Sequence, residues 1–127
     1  MMYAMIVDDN PKNLHILAKM LEAEGVATVE VPSPTLLDDV LAEIDSLDVI
    51  FLDLEMPGLN GYEVLEMLKA DPRFAHVPVV AYTVHVSEIT VAHQLGFHSF
   101  IGKPLDMDKF PGQLSRILAG EHVWETV

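Results

Sequence analysis

Cysteine is absent from the sequence, and basic residues are scarce, with 7 Lys and Arg against 20 Asp and Glu. Without cysteine the chain has no disulfide, no thiolate nucleophile and no cysteine-ligated zinc site. The formal net charge of −13 at pH 7 repels phosphate groups, so we expect no direct binding to nucleic acid or to a membrane surface. No apolar run approaches the length of a membrane span, and the apolar N-terminus lacks the basic segment of a signal peptide. A cytoplasmic location is therefore the expectation.

Hydrophobic residues make up 50% of the 127-residue chain, which is enough for one domain to bury a core of its own. We predict a single domain over residues 1–120 and a short tail over residues 121–127. Within the tail, Trp124 has two interpretations. It either contacts a partner protein, because Trp is enriched at binding hot spots, or it folds back onto its own domain.

Short apolar runs alternate with longer amphipathic stretches along the chain. The short runs predict strands that are buried on both faces, and they are residues 3–7, 26–31, 49–52, 77–83 and 99–101. Helix-start signals lie between them at Asn10, Ser33, Gly61, Ser87 and Asp106. The helix after Ser33 has apolar residues as far as Ile44. Residues 55–60 contain turn signals at Pro57 and Gly58 and are predicted as a loop.

Alternation of strands and helices predicts an α/β fold with a doubly wound, flavodoxin-like parallel sheet and helices on both faces. The prediction is five strands in the order 2-1-3-4-5 with five helices, an order that suits a domain of this size. In this class of fold the ligand crevice lies at the carboxyl ends of the first and third strands, where the strand order reverses.

Polar side chains stand at the end of four predicted strands. Asp8 and Asp9 follow the first strand, Asp53 the third, Thr83 ends the fourth and Lys103 follows the fifth. Converging carboxylates repel one another unless a cation joins them, and a site of oxygen ligands favours Mg²⁺. The central position of Asp53 makes it the candidate nucleophile. Lys103 would neutralise a phosphoryl oxygen, and Thr83 would donate a hydrogen bond to another.

Each of these residues, taken singly, has an ordinary structural explanation. An Asp pair at a strand end is usually a solvated loop or a helix cap, a Lys before a Pro is usually a turn, and a Thr at a strand end is usually packing. The functional interpretation depends on their combined occurrence at one edge of the sheet, in this order.

The sequence resembles the receiver domain of two-component response regulators over residues 3–119. The matching stretches are residues 6–10 (IVDDN), residues 53–61 (DLEMPGLNG), Thr83, and Lys103 with Pro104. The resemblance implies that Asp53 accepts a phosphoryl group from a histidine kinase or a histidine phosphotransfer protein. It also implies that Mg²⁺ is bound by Asp8, Asp9 and Asp53 together with the backbone carbonyl of Glu55.

The same resemblance implies roles for residues outside the acidic cluster. Thr83 and Lys103 would contact the phosphoryl group, the Lys103–Pro104 bond would be cis, and Phe100 would be the aromatic residue whose rotamer reports activation. No output segment follows the last predicted helix, so we expect a stand-alone domain that signals through contacts with an output protein of unknown identity or acts as a phosphate shuttle. The alternative is a piece of a longer regulator or hybrid kinase. Its chemistry would be limited to self-phosphorylation from a phosphodonor and slow autodephosphorylation.

Three departures from the family pattern concern the pocket and the usual output surface. Val84 stands where the family usually has Ala or Gly, and its branched side chain would crowd the pocket. The segment from Thr83 to Gly96 is shorter than is common in the family. Pro111, followed by Gly112, should delay or bend the last helix. Two further residues, Glu55 and His85, are candidates for tuning the pocket because each lies two positions after a site residue.

An alternative from another functional class is a small Mg²⁺-dependent phosphohydrolase with Asp53 as its nucleophile. Dehalogenase-type hydrolases need a second acid two residues further on, usually Asp, and Glu55 matches that requirement only loosely. The chain also has no cap domain.

Overall fold

The computed structural model describes residues 1–56 and 59–125. The strands in these ranges are β1 (Met2–Val7), β2 (Val26–Val31), β3 (Val49–Asp53), β4 (Glu55–Met56), β5 (Leu59–Asn60), β6 (Val79–Thr83), β7 (Ser99–Gly102) and β8 (Trp124–Glu125). The helices are α1 (Pro11–Ala23), α2 (Leu37–Ala42), α3 (Gly61–Ala70), α4 (Ile89–Leu95) and α5 (Phe110–Leu118). None of the helices in these ranges is both long and apolar enough to cross a bilayer.

The main sheet has the strand order β2-β1-β3-β6-β7-β8, and every neighbouring pair is parallel. The five predicted strands are present in the predicted order, which confirms the doubly wound fold. The prediction of five strands was wrong by one, because the tail contributes β8 as a sixth strand beside β7. The order reverses at β1, where Val7 pairs with Val31 on one side and with Leu52 on the other.

The core consists of two layers, one on each face of the sheet. Alternate residues of a strand point to opposite faces, so Ala4 and Ile6 pack with α1 and α5, whereas Met5 and Val7 pack with α2, α3 and α4. Both sets are fully buried. This arrangement leaves only the ends of the central strands available for polar chemistry.

Two helices begin and end as the sequence indicates. The side chain of Asn10 accepts hydrogen bonds from the backbone N–H groups of the first turn of α1, and Gly25, just beyond its end, has a φ of +80°. The side chain of Asn60 caps α3, which runs from Gly61 to Ala70 as predicted.

Three other helices are shorter than predicted. Helix α2 ends at Ala42 instead of Ile44, because its last turn tightens and the guanidinium of Arg73 binds the carbonyl oxygens of Leu41 and Ile44 at 2.9 and 2.8 Å. Ser87 lies inside a 3₁₀ turn (Val86–Glu88) and does not start α4, which begins at Ile89.

The last helix begins later than its first capping signal. The carboxylate of Asp106 accepts hydrogen bonds from the backbone N–H groups of Asp108 and Lys109, which forms a turn ahead of the helix. Helix α5 then begins at Phe110, with Pro111 in its first turn. Proline is tolerated there because the first N–H groups of a helix have no intrahelical acceptor. The expected delay is therefore present.

Residues 55–60 differ from the predicted loop. Strands β4 and β5 pair antiparallel, with Glu55 opposite Asn60 and Met56 opposite Leu59. The predicted turn at Pro57 and Gly58 lies outside the described residues.

The tail folds back onto the domain. The N–H of Phe100 donates to the carbonyl of Val123 at 2.7 Å, and the N–H of Val123 donates to Ser99 Oγ at 2.9 Å. The ring of Trp124 packs against the core, with its centroid 4.7 Å from that of His93. Of the two interpretations of Trp124, the structure shows the one in which it covers its own domain.

A pair of histidines lies where the tail joins β7. The rings of His98 and His122 stack with their centroids 4.2 Å apart. His122 Nδ1 donates to the carbonyl of His98 at 2.7 Å, and His98 Nδ1 lies 2.9 Å from Ser99 Oγ. Burial lowers the pKa of His98, and the neighbouring His122 lowers it further, while a backbone hydrogen bond with Gly120 acts in the opposite direction.

We predict that acidification weakens the fold through His98. Because the pKa of His98 is lowered in the folded state, the unfolded chain takes up the proton first as the pH falls below about 6.5, and the free energy of unfolding decreases with it. The His98→Gln variant should lose less stability between about pH 7.5 and about pH 5.5 than the unmodified chain does. Urea titrations at each pH measure this difference.

The control is His15→Gln, which replaces an exposed histidine of α1 and should keep the pH dependence of the unmodified chain. If the unmodified chain and His98→Gln lose stability in parallel, the contribution assigned to His98 is wrong.

Candidate functional site

The predicted site residues lie together at the carboxyl edge of the sheet. Asp8 follows β1, Asp53 ends β3, Thr83 ends β6 and Lys103 follows β7. In the ladder between β3 and β6, Asp53 is directly beside Tyr82. The crevice is formed where β1 and β3 adjoin, which is the point of strand-order reversal.

Three carboxylates meet in this crevice. Asp8, Asp9 and Asp53 each have an oxygen within 4.8 Å of the others, and they form the metal-ligand cluster found among the described residues. Asp8 is fully buried and Asp53 is 5% exposed, whereas Asp9 is more open to solvent. An all-oxygen donor set of this kind fits a hard divalent cation such as Mg²⁺ better than a softer metal.

Lys103 supplies the positive charge that faces the cluster. Its Nζ lies 3.3 Å from Asp8 Oδ2 and 3.5 Å from Asp53 Oδ2, and its side chain is only 11% exposed. The backbone N–H of Lys103 donates to the carbonyl of Thr83 at 2.9 Å, and the Lys103–Pro104 bond is cis, as the family resemblance implied. One ammonium offsets only part of the charge of three carboxylates.

The pKa of Asp53 reflects the opposing effects of burial, Asp8 and Lys103. Burial raises the pKa of Asp53 from 3.8 to about 7, and the charge of Asp8 acts in the same direction, whereas Lys103 acts against both. A cation among the three carboxylates would favour the ionised form. The lysine of the pocket therefore compensates only part of its acidic charge.

Gly61 allows α3 to begin directly against the end of β3. A Cβ at this position would lie 2.9 Å from Leu54 Cδ2 and 3.2 Å from the carbonyl oxygen of Asp53. Any side chain here would require Leu54 to move and would press against the backbone at Asp53, so glycine suits this close approach. The start of α3 thus fixes the backbone on which Asp53 stands.

Thr83 and the residues after it form one side of the pocket. Thr83 is 1% exposed, and its Oγ1 accepts a hydrogen bond from the backbone N–H of His85 at 3.1 Å. The side chain of Val84 is 60% exposed. It lines a cavity of about 330 Å³ with Tyr82, Lys103 and residues of α1, and among the described residues this lining includes neither Asp53 nor Thr83. His85 is exposed beside it. The pocket-tuning roles expected for Val84 and His85 stay predictions.

Two further predicted residues lie at different depths. Phe100 in β7 is fully buried in the core layer of α2, α3 and α4, and its role as a switch stays a prediction. The backbone of Glu55 lies in β4, two residues beyond Asp53. Its side chain lies outside the described part of the structure, so its expected tuning role also stays a prediction.

Tyr82 belongs to the site but was missed by the sequence reasoning. Its hydroxyl donates to Asp8 Oδ2 at 2.7 Å, and its ring lies under Lys103 Nζ at 4.3 Å from the centroid. The pKa of Tyr82 is raised by burial and by the neighbouring acids. The available signal was a hydroxyl-bearing residue inside an otherwise apolar strand, since a buried tyrosine hydroxyl normally has a hydrogen-bond partner.

The family model of the response regulator receiver domain matches residues 4–114 of this chain. The polar-differentiation response regulator DivK of Brucella ovis is 32% identical over 108 residues, which are 84% of this chain and 87% of DivK.

Solved structures share the fold. The signal receiver domain of the DNA-binding response regulator merR from Colwellia psychrerythraea has a TM-score of 0.81 and 23% identity, covering 94% of this chain and 99% of its own. The receiver domain of a sensor histidine kinase from Pseudomonas aeruginosa has a TM-score of 0.81 and 22% identity, covering 93% and 98%. That structure holds a magnesium ion coordinated in its active-site cleft.

Proposed function

The chain belongs to the response regulator receiver domain family, and from that membership we propose that Asp53 accepts a phosphoryl group from a histidine kinase or a histidine phosphotransfer protein. The observation that carries this proposal is the position of Lys103 Nζ, 3.5 Å from Asp53 Oδ2. An ammonium at that distance can neutralise the phosphoryl group as it arrives at the carboxylate. The buried hydroxyl of Thr83, at the end of the neighbouring strand, is the expected hydrogen-bond donor to another phosphoryl oxygen.

In the proposed transfer, an oxygen of the ionised Asp53 carboxylate attacks the phosphorus atom of the donor. A new oxygen–phosphorus bond forms, and the nitrogen–phosphorus bond of the phosphohistidine breaks. The leaving imidazole nitrogen keeps the electron pair of the broken bond and departs as a neutral ring, because its other nitrogen carries a proton. The product is an acyl phosphate on Asp53.

Mg²⁺ is the proposed cofactor, held by Asp8, Asp9 and Asp53 and by the backbone carbonyl of Glu55. The proposal rests on the all-oxygen cluster and on the magnesium ion in the cleft of the Pseudomonas aeruginosa receiver domain. When bound, the ion supplies positive charge that offsets the phosphoryl oxygens. Without it, Lys103 faces the charge of the acids and of the phosphoryl group alone.

We propose that phosphorylation changes contacts with an output protein. Thr83 Oγ1 is hydrogen-bonded to the backbone of His85, so a movement of Thr83 toward a phosphoryl group would be passed to the exposed segment that leads into α4. Phe100, in the strand beside β6, is the proposed aromatic switch. Slow autodephosphorylation would end the signal.

The phosphohydrolase alternative is not favoured, because the family match covers most of the chain.

We predict that Asp53→Asn abolishes phosphorylation, because the neutral amide is a poor nucleophile for phosphorus. The protein is treated with acetyl phosphate and Mg²⁺, and its intact mass is measured. The unmodified chain should gain the mass of one phosphoryl group, and Asp53→Asn should gain none. Asp39→Asn, an exposed position on α2, is the matched control. If Asp53→Asn gains a phosphoryl group as fast as the unmodified chain does, the assignment of Asp53 is wrong.

We predict that Asp9→Ala weakens Mg²⁺ binding by about tenfold or more, because it removes a charged oxygen ligand from the cluster. Isothermal titration calorimetry with Mg²⁺ measures the affinity. Asp39→Ala, which removes one negative charge from an exposed position of α2 outside the cluster, separates the loss of a ligand from the change in net charge. Equal affinities of Asp9→Ala and Asp39→Ala would remove Asp9 from the site.

We predict that Val84→Ala shortens the lifetime of the Asp53 phosphate. Val84 lines a cavity together with Lys103, whose Nζ lies 3.5 Å from Asp53 Oδ2. We expect truncation of the branched side chain to widen the approach for the attacking water past Lys103. The increase in the rate of autodephosphorylation should be modest, about threefold, which is less than about 1 kcal/mol in the barrier. Val86→Ala, two residues further on and also exposed, is the control. A lifetime equal to or longer than that of the unmodified chain contradicts crowding by Val84.

A further inference from the structure

Tyr82 makes two separate contacts with the charged groups of the pocket. The residue is 1% exposed and stands beside Asp53 in the sheet. Its hydroxyl donates to Asp8 Oδ2 at 2.7 Å. Lys103 Nζ lies over the face of its ring, 4.3 Å from the ring centroid. One side chain thus touches both an acid of the metal-ligand cluster and the cation of the pocket.

The hydroxyl contact fixes the orientation of Asp8. The backbone N–H of Asn10 donates to Asp8 Oδ1 at 2.9 Å, and Oδ2 receives the Tyr82 hydroxyl as well as Lys103 Nζ at 3.3 Å. Asp8 is fully buried, so water does not readily replace a lost donor. A carboxylate held by a second set of hydrogen bonds is presented to a metal in one orientation, and the loss of such a donor typically weakens metal binding.

The ring contact fixes the position of Lys103. An ammonium over the face of an aromatic ring is attracted by its quadrupole, and here the same ammonium lies 3.5 Å from Asp53 Oδ2. The lysine side chain is long and loses rotamer freedom when it is held in place. The aromatic face therefore limits the places where the charge can lie, and it leaves the ammonium within reach of the phosphoacceptor.

We propose that Tyr82 is a positioning residue with two separable actions: its hydroxyl orients Asp8 for the divalent cation, and its ring holds Lys103 for the phosphoryl group. This inference rests on the proposed function of Asp53 as phosphoacceptor and adds a residue to that site. If the role of Tyr82 were purely structural, its substitutions would change folding stability alone, or would change Mg²⁺ binding and the position of Lys103 together.

Two substitutions separate the actions. Tyr82→Phe removes the hydroxyl and keeps the ring, including its edge-to-face contact with Phe51. Tyr82→Leu removes both the hydroxyl and the ring. The matched control is Tyr62→Phe. It also removes a hydroxyl that donates to a carboxylate, but that carboxylate is Glu88, which is not part of the acidic cluster.

Three measurements are made on each protein. Calorimetry gives the Mg²⁺ affinity, acetyl phosphate gives the rate of phosphorylation at saturating Mg²⁺, and NMR of the metal-free protein gives the shift of the Lys103 methylene protons, which the ring current of residue 82 moves upfield. Thermal unfolding of the metal-free proteins records stability separately.

The expected results differ between the two variants. Tyr82→Phe should bind Mg²⁺ about tenfold more weakly, with an unchanged ring-current shift and with a smaller loss of rate at saturating Mg²⁺ than Tyr82→Leu shows. Tyr82→Leu should lose the shift and should also be phosphorylated roughly tenfold more slowly at saturating Mg²⁺, because Lys103 is no longer held. Tyr62→Phe should match the unmodified chain in all three measurements.

Other outcomes overturn the inference. If Tyr82→Phe binds Mg²⁺ as tightly as the unmodified chain, the hydroxyl does not orient Asp8. If the Lys103 protons keep their upfield shift in Tyr82→Leu, the ring does not hold Lys103. If Tyr62→Phe loses as much Mg²⁺ affinity as Tyr82→Phe does, the weaker binding comes from a general loss of stability and not from the contact with Asp8. If Tyr82→Leu does not fold, Tyr82→Met replaces it with a longer non-aromatic side chain. The unmodified chain is measured alongside the variants. If it does not accept a phosphoryl group, the result refutes the proposed function and not the role of Tyr82.

Discussion

The buried carboxylate of Asp8 is the constraint on which the site depends. An ionised group removed from water is costly unless charges and hydrogen-bond donors surround it, and Asp8 is completely buried at the end of β1. Its partners come from distant parts of the sequence: the hydroxyl of Tyr82 and the ammonium of Lys103. The strand order of the sheet is what brings these three residues together, since β1, β3, β6 and β7 end at the same edge.

The sheet also explains why the chemistry is concentrated at this edge. Both faces of the central strands are covered by helices, and their side chains form two apolar layers. A polar group placed within a strand would have to be buried among them, whereas a group at the strand end can meet both solvent and neighbouring strands. Asp53 and Thr83 stand at such positions, because each ends a uniformly buried strand.

Local sequence predicted the features that depend on local interactions. Alternation and apolar runs gave the five strands and the doubly wound class, the general rule for that class supplied the strand order, the capping residue Asn10 gave the start of α1, and the strand-end rule brought Asp8, Asp53 and Lys103 together. The missed features depend on distant partners. Strand β8 is two residues long and is held at its entry by Ser99 and Phe100, and Arg73 binds the carbonyls at the end of α2 from a later part of the chain.

The four residues of β7 connect the two ends of the domain. At its start, Ser99 and Phe100 hold the tail, and just beyond its end the N–H of Lys103 is bonded to the carbonyl of Thr83. A strand this short, fixed at both ends and fully buried, has little freedom to shift along its axis. Residues 84–87, in contrast, are exposed, and the backbone N–H of His85 donates a hydrogen bond to Thr83 Oγ1. Because this segment is exposed and β7 is buried, a phosphoryl group at Asp53 would displace the segment more easily than β7.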